Sequence, residues 1–322
     1  MAAQCAKLIA AHDAFVLPVI VDHQIHRRVD HQSGHQWSSQ VRKLGKESGI
    51  PHVSVENVND ADVLGIVNDA HPDIIFSVNN WDVIHADLLA IPSDGIINFH
   101  NGPLPEYRGV NAPSWAIINR EHDHGVTWHF VAEGIDTGDI VARKSFALRP
   151  DETAVSLMFR CMETGVELLR PLLDRYASGH LDAWPQKGEA HYYSAKDSPN
   201  HGYLDFDQTF DRLSALVRGL SFRPFENQFI WPKVPAANRT LLVSQISRVC
   251  DRADNESWTC GEVRTIDDRG IVVCARDCQV RLSGLMQENL TDIGDAGALE
   301  SFGVRVGSIL RSDNGQGQTA LG

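Results

Sequence analysis

Three polar side chains in this sequence have the types and spacing to work on a carbonyl carbon. Asn98 and His100 lie two residues apart in Asn98-Phe-His100-Asn-Gly-Pro-Leu-Pro105, and Asp136 sits in Gly134-Ile-Asp136-Thr-Gly-Asp139. When an amine attacks a carbonyl, the oxygen gains negative charge and the nitrogen becomes acidic, so a site needs hydrogen-bond donors for the first and a proton acceptor for the second. The Asn98 Nδ2 group donates. His100 titrates near neutrality and could donate to the same oxygen or relay protons. Asp136, facing the imidazole, would orient it and raise its pKa, or take the amine proton through a water. No Ser or Cys stands activated beside a base, which favours direct transfer over a covalent intermediate. Each residue alone has a plain structural explanation: an Asn that caps a turn, a half-buried His, an ordinary Asp-Thr-Gly-Asp turn. Their company with the loop Leu104-Pro-x-Tyr107-Arg108-Gly109 is what points to a site.

The elements that must hold these groups can be read around them. On an extended strand, alternation puts Asn98 and His100 on one face. Gly102, Pro103 and Pro105 then stop the strand and fix a loop. The pair is therefore expected at a strand's carboxyl end, where ligands bind in an open α/β sheet. Short apolar runs at Phe15–Val21, Asp73–Val78 and Gly95–Phe99 alternate with helical stretches such as Asp60–Asp69, predicting a doubly wound, mostly parallel sheet. Residues 125–131 and 139–146 predict a hairpin with Asp136 in its turn. The spacing of Val155, Met158, Met162, Val166, Leu169, Leu173 and Tyr176 predicts a helix over Asp151–Tyr176 with a core-facing stripe, capped by Gly179.

The polar stretch 185–203 reads as a linker after a catalytic domain of residues 1–184. A helix is expected over Phe206–Leu220, then strands at Leu241–Ile246, Thr259–Val263, Ile271–Cys274, Val280–Leu285 and Val304–Leu310, making a small open β-barrel-like domain over 204–311. The Gly-rich end, 312–322, is expected to be a flexible tail.

Composition narrows the partners. The 322 residues carry 29 Lys+Arg against 42 Asp+Glu, a net charge of −13, and residues 201–322 hold 13 basic against 16 acidic side chains. A polyanion would meet an opposing field, so nucleic acid is an unlikely partner. No apolar run reaches a membrane span, and the start lacks a secretory signal, so the expected compartment is the cytoplasm. Six cysteines spread through the chain suit a reducing environment as free core thiols. Cys274 and Cys278 read as parts of strands rather than zinc ligands, and His23, His26, His31 and His35 as solvated loop residues, so no metal is expected.

Asn98-x-His100 with Leu104-Pro105-x-Tyr107-Arg108-Gly109, Gly125-Val-Thr and Ile135-Asp136-Thr-Gly-Asp139 resembles the signature of the 10-formyltetrahydrofolate-dependent formyltransferases, over nearly the whole chain. Residues 201–322 resemble the open barrel found in methionyl-tRNA formyltransferase. The resemblance implies Asn98, His100 and Asp136 as catalytic residues. It implies 10-formyltetrahydrofolate as co-substrate, in a slot formed by Trp81, Val83, Ile84, Val131, Gly134 and Ile135, with a primary amine as acceptor. Within the family the pattern, including Ser114-Trp-Ala116, Trp128-His129 and the run Leu216–Asn227, is most similar to formylation domains of nonribosomal peptide synthetases. That implies a carrier-bound or small amino-acid-type amine, and neighbouring synthetase domains as partners. Sugar-nucleotide amines come second and methionyl-tRNA third. A catalytically silent module of the same fold and a formyl-folate hydrolase are the readings from other classes. The family opens with a buried strand before its first helix, whereas Met1–Ala10 already resembles that helix, so the first strand is expected to be missing.

Overall fold

The sheet that carries Asn98 and His100 is built around Ile96–His100, whose residues Ile96, Ile97 and Phe99 are buried. In a computed structural model, which describes residues 1–23, 40–225, 227, 229–237, 239–253, 256–293 and 296–311, the chain divides into two units. The first comprises 1–112, 123–147 and 158–194, and the second 113–122, 148–157 and 195–322.

In chain order the elements are α1 (Ala2–Ala10), β1 (Ile20–His23), α2 (Gln40–Ser48), β2 (His52–Val55), α3 (Ala61–Asp69), β3 (Ile75–Val78), α4 (Ala86–Leu89), β4 (Ile96–His100), β5 (Arg108–Gly109), α5 (Ala112–Ile118), β6 (Asp123–Phe130), β7 (Ile140–Ala147) and α6 (Ala154–Ala177). There follow β8 (Tyr192–Tyr193), a 3-10 turn (Pro199–Gly202), α7 (Phe210–Leu220), β9 (Lys233–Ala236), β10 (Arg239–Asp251), β11 (Val263–Asp267), β12 (Gly270–Cys274), β13 (Cys278–Met286) and α8 (Ala296–Ser301).

In the first unit β3, β4, β6 and β7 form a sheet in that order. The β3–β4 pair is parallel, and β4–β6 and β6–β7 are antiparallel, so the expected α/β sheet has mixed pairing. The parallel pair β1–β2 makes a separate ladder. Among the described residues no ladder joins it to β3. An apolar cluster nonetheless runs from Val55 and Val21 through Val63 and Val67 to Leu88, Ile75 and Ile96.

Helix α6 starts where the Thr153 hydroxyl accepts the Ser156 N–H at 3.2 Å. It ends in the bonds Gly179 N–H to Tyr176 O and His180 N–H to Arg175 O, with Gly179 in the left-handed region, the Schellman pattern that glycine makes cheap. Its most buried line is Leu157, Cys161, Gly165, Leu169 and Leu172, so the stripe expected at Val155, Met158, Met162 and Val166 is rotated, and those four are only half-buried. The cause is Gly165, where a Cβ would stand 2.2 Å from the Phe99 ring. The bare backbone brings the helix down onto β4, and Trp128 Nε1–H seals the contact by donating to Gly165 O at 3.0 Å.

In the second unit β11, β12, β13, β10 and β9 form an antiparallel sheet in that order, a half-barrel around Val217, Val243, Val273, Val280 and Leu282. Cys274 and Cys278 lie at the facing ends of β12 and β13, as expected. All six cysteines are free, but Cys250 is exposed and Cys260 partly so, which departs from the expectation of core thiols throughout.

Four expected strands or helix bounds shift. Phe15–Pro18 is not strand: Phe15 N–H closes a turn on His12 O, and Pro18 has no N–H to give a ladder. Thr259–Gly261 is a turn, and the polar run from Val263 forms β11 instead. Val304–Leu310 is folded by Ser308, whose hydroxyl accepts the Arg305 N–H, and only Ile309 makes an isolated bridge, to Glu262. Helix α7 begins at Phe210 rather than Phe206, its first N–H taken by Asp277. His26, His31, His35 and the expected tail 312–322 lie outside the described residues.

Candidate active site

Register brings the polar groups together. In the β4–β6 ladder Asn98 pairs with His129 and His100 with Thr127, so two side chains from one strand and one from its neighbour share a face at the end of β4. The loop that follows is tied down from β6 and β7. Thr127 Oγ1–H donates to Gly102 O at 2.9 Å and accepts the Leu104 N–H at 3.2 Å, and His124 Nε2–H donates to Asn101 O at 2.9 Å. Arg143 adds a bond to Leu104 O at 2.6 Å.

That loop places the carbonyl of Tyr107 over His100, whose Nε2–H donates to it at 2.5 Å. Only glycine fits at position 102 beneath this bond: a Cβ would lie 2.8 Å from His100 Nε2 and 3.0 Å from Tyr107 O. Since a carbonyl only accepts, the proton of neutral His100 is on Nε2. Nδ1 therefore points its lone pair at the Asp136 carboxylate, 3.5 Å from Oδ2.

Asp136 is reached through an unusual backbone. Its φ of 51° lies in the left-handed region, which costs a non-glycine residue about 1 kcal/mol but which Asp tolerates better than most. Two donors hold it there, with His129 close by. Gly109 N–H donates to Oδ2 at 2.8 Å, His129 Nε2 lies 3.3 Å from Oδ1, and the Gln186 amide donates to Asp136 O and Gly138 O at 2.7 and 2.8 Å. Arg108 in turn donates twice to Gln186 Oε1, at 3.1 and 2.7 Å. The segment expected as a linker thus supplies Gln186 as well as β8, which pairs with β5 beside Tyr107 and Gly109.

The side chains of His100, His129 and Asp136 are 6%, 2% and 11% exposed, so their charges interact with little screening by water. Burial pushes the Asp136 carboxyl up, but His100, the His129 hydrogen bond and the Gly109 N–H outweigh it and hold the pKa down to about 2. Asp136 does raise the His100 pKa, as expected, but burial outweighs it. Burial penalises the imidazolium more than the carboxylate favours it, and the pKa falls below the usual histidine value. The resting site is a carboxylate facing a neutral imidazole, able to take up a proton. Asn98 Nδ2 lies 3.3 Å from His129 Nε2, which fixes the amide with its NH2 group toward this centre.

His129, Gln186, Tyr107 O and Gly109 N–H were not foreseen as site groups. His129 carried a signal in its two-residue step from Thr127, but the pairing with Asn98 that gives it meaning is not local in sequence.

The expected cofactor residues lie on two segments, 81–84 and 131–135. A turn in which Asn80 and Asp82 bond each other is anchored by Val58 N–H to Asp82 Oδ2 and Asn59 Nδ2–H to Val83 O. It holds Trp81 and Val83 outward, 63% and 57% exposed. Ile84 and Val131 are partly buried against the cluster beneath, while Gly134 and Ile135 lie on the exposed run leading into Asp136. Exposed rigid aromatic and aliphatic groups suit the flat face of a pteridine.

Comparison with known proteins follows the same line. The family model described as formyl transferase matches residues 12–172. The chain is 30% identical over 250 residues to the methionyl-tRNA formyltransferase of Geobacter metallireducens, covering 77% of this chain and 76% of that one. It is 28% identical over 274 residues to that of Caldanaerobacter subterraneus subsp. tengcongensis, covering 85% of each. Among solved structures, an N-formyltransferase from Helicobacter canadensis in complex with folinic acid and dTDP-3-aminofucose aligns with a TM-score of 0.65 at 18% identity, over 88% of this chain and 95% of that one. HypX from Aquifex aeolicus in complex with tetrahydrofolic acid aligns with a TM-score of 0.57 at 19% identity, over 82% of this chain and 44% of that one. With the matched stretch running through β4, β6 and the Asp136 turn, where the polar groups converge, the chain belongs to the formyl transferase family.

Proposed function

We propose that this chain transfers the formyl group of 10-formyltetrahydrofolate to the primary amine of a carrier-bound or small amino-acid-type acceptor, with Asn98, His100 and Asp136 as its catalytic residues. The observation that carries the reading is the buried Asp136 carboxylate held between two imidazoles beside the Asn98 amide. The folate supplies the formyl carbon. Asn98 Nδ2–H donates to the formyl oxygen as charge develops on it. Asp136 and the bare His100 Nδ1 receive the proton that the attacking amine releases, and the Tyr107 carbonyl keeps the imidazole in that tautomer. Trp81, Val83, Ile84, Val131, Gly134 and Ile135 are the residues that hold the pteridine.

Charge supports the acceptor class. A net charge of −13, with no basic excess in residues 201–322, disfavours a polyanionic substrate. Two other acceptors have specific support. The curated relatives are named for methionyl-tRNA, and the Helicobacter canadensis structure holds an amino-sugar nucleotide. In our reading residues 1–184 carry the transfer, helped by Gln186 and β8 from the segment 185–203, and 204–311 form the barrel-like domain. Among the described residues no helix is long and apolar enough to cross a membrane. We place the enzyme in the cytoplasm because free cysteines suit a reducing compartment.

The test is tetrahydrofolate release from 10-formyltetrahydrofolate with aminoacyl thioesters on a carrier protein, free amino acids, amino-sugar nucleotides and methionyl-tRNA. Turnover with thioesters or amino acids is expected. Turnover confined to charged tRNA or sugar nucleotides would replace the acceptor assignment, and formate release without acceptor would replace transfer by hydrolysis.

A further inference from the structure

His129 is a buried titratable group for which the transfer above has no use. Its Nδ1 lies 2.8 Å from Phe130 O, so in the neutral ring that nitrogen carries the proton and Nε2 is bare. Nε2 has two neighbours at 3.3 Å: the Asn98 Nδ2 group, which can only donate, and Asp136 Oδ1, which can only accept when ionised. It can satisfy one of them at a time. A neutral ring accepts from Asn98, and a protonated ring donates to Asp136. His100 presents the same pattern from β4, with its outer nitrogen on Tyr107 O and its inner one facing Oδ2. The titratable groups facing His129 are Asp136 and His100, whose ring centroid is 6.4 Å away, and the residue opposite it on β7 is the uncharged Ile140.

We propose that His129 is a positioning residue of the transfer: its neutral Nε2 holds the Asn98 amide with N–H groups toward the formyl oxygen, and its protonated form stabilises the Asp136 carboxylate while the cluster carries the amine's proton. This rests on the formyl-transfer reading. As the new bond from the amine nitrogen to the formyl carbon forms, the proton leaving that nitrogen enters the cluster. As the bond from the formyl carbon to the folate nitrogen breaks, the same proton goes to the folate nitrogen. The cluster ends in its starting state.

The first test reads the tautomer in the full chain, with neither folate nor acceptor present, by long-range nitrogen–proton NMR of the imidazoles. At neutral pH His129 is expected with its proton on Nδ1 and His100 with its proton on Nε2. A His129 proton on Nε2 overturns the proposal. The second test is kinetic. His129→Leu is expected to lower kcat about 100-fold with the KM for the formyl donor within about threefold. His129→Gln keeps an acceptor for Asn98, so it should recover part of that loss while one ionisation disappears from the pH–rate profile. Wild-type kcat and pH profile in the Gln variant overturn the proposal, as does a change confined to KM and melting temperature. If His129→Leu does not fold, the Gln variant and the tautomer decide. Absence of turnover with every amine would defeat the transfer reading, while the tautomer would still be read.

Discussion

Replacing Gln186 by Ala tests whether the clamp on the Asp136 turn matters to the chemistry. The side chain makes four hydrogen bonds, two from Nε2 to Asp136 O and Gly138 O and two from Arg108 to Oε1. Gln186 is itself partly exposed, and water will replace some of them, so about 0.5–1 kcal/mol each is the appropriate scale, or about 2–4 kcal/mol in all. The two Nε2 bonds and the tethered Arg108 bias Asp136 toward its left-handed backbone at φ 51°. Removing about 2–3 kcal/mol of that bias would cut the population of the competent turn, and with it kcat, by about 30- to 150-fold. Gln186→Glu separates the two halves of the clamp. It still accepts from Arg108, but it sets an oxygen against the two carbonyls that Nε2 had bonded. Its urea midpoint should therefore lie nearer the wild type than that of Gln186→Ala, with a comparable loss of kcat. Steady-state tetrahydrofolate release and urea denaturation measure both quantities. A Gln186→Ala enzyme within about threefold of wild-type kcat would refute the argument that this clamp holds Asp136 in place.

Acid stability should carry the signature of Asp136. Its pKa falls from 3.8 to about 2 in the folded chain, so it contributes about 2 kcal/mol that is fully present above pH 4 and lost as pH falls toward 2. In Asp136→Asn the loss of stability between pH 7 and 2.5, read from urea midpoints, should shrink by about that amount. His100 acts in a higher window: its lowered pKa means the unfolded chain binds the proton more readily, so stability drops as pH falls below 6.5, and His100→Gln should flatten that drop. Asn98→Ala should lower kcat about 100- to 1000-fold with the donor KM nearly unchanged, since its donor acts on developing charge. Trp81→Ala should raise the donor KM about tenfold without moving the melting temperature, because the ring is 63% exposed.

Local pattern was enough for Asn98 and His100, because the period of a strand decides which side chains share a face, and enough for the turn at Asp136, where glycines flank it. It was enough for the end of α6 at Gly179. It failed where a residue's role depends on a distant partner. His129 gains its neighbour from the β4–β6 register, and Gln186 reaches its partners 48 and 50 positions back along the chain. The helix stripe was rotated for the same reason, since Gly165 is a docking point only because Phe99 lies under it. Short polar strands such as Val263–Asp267 escaped because their alternation is weak, and Val304–Leu310 misled because its apolar residues suggested a ladder that the Ser308 turn denies.

Several contacts that orient the candidate groups come from peptide units rather than side chains: the carbonyls of Tyr107 and Phe130, and the amide of Gly109. An alanine scan would pass over these groups, because substitution at Tyr107 or Phe130 leaves the carbonyl in place. Their worth would be exposed by editing the main chain itself. An ester in place of the peptide amide at Gly109 deletes one donor to Asp136 and spares every side chain, so a rate loss there would belong to the backbone alone.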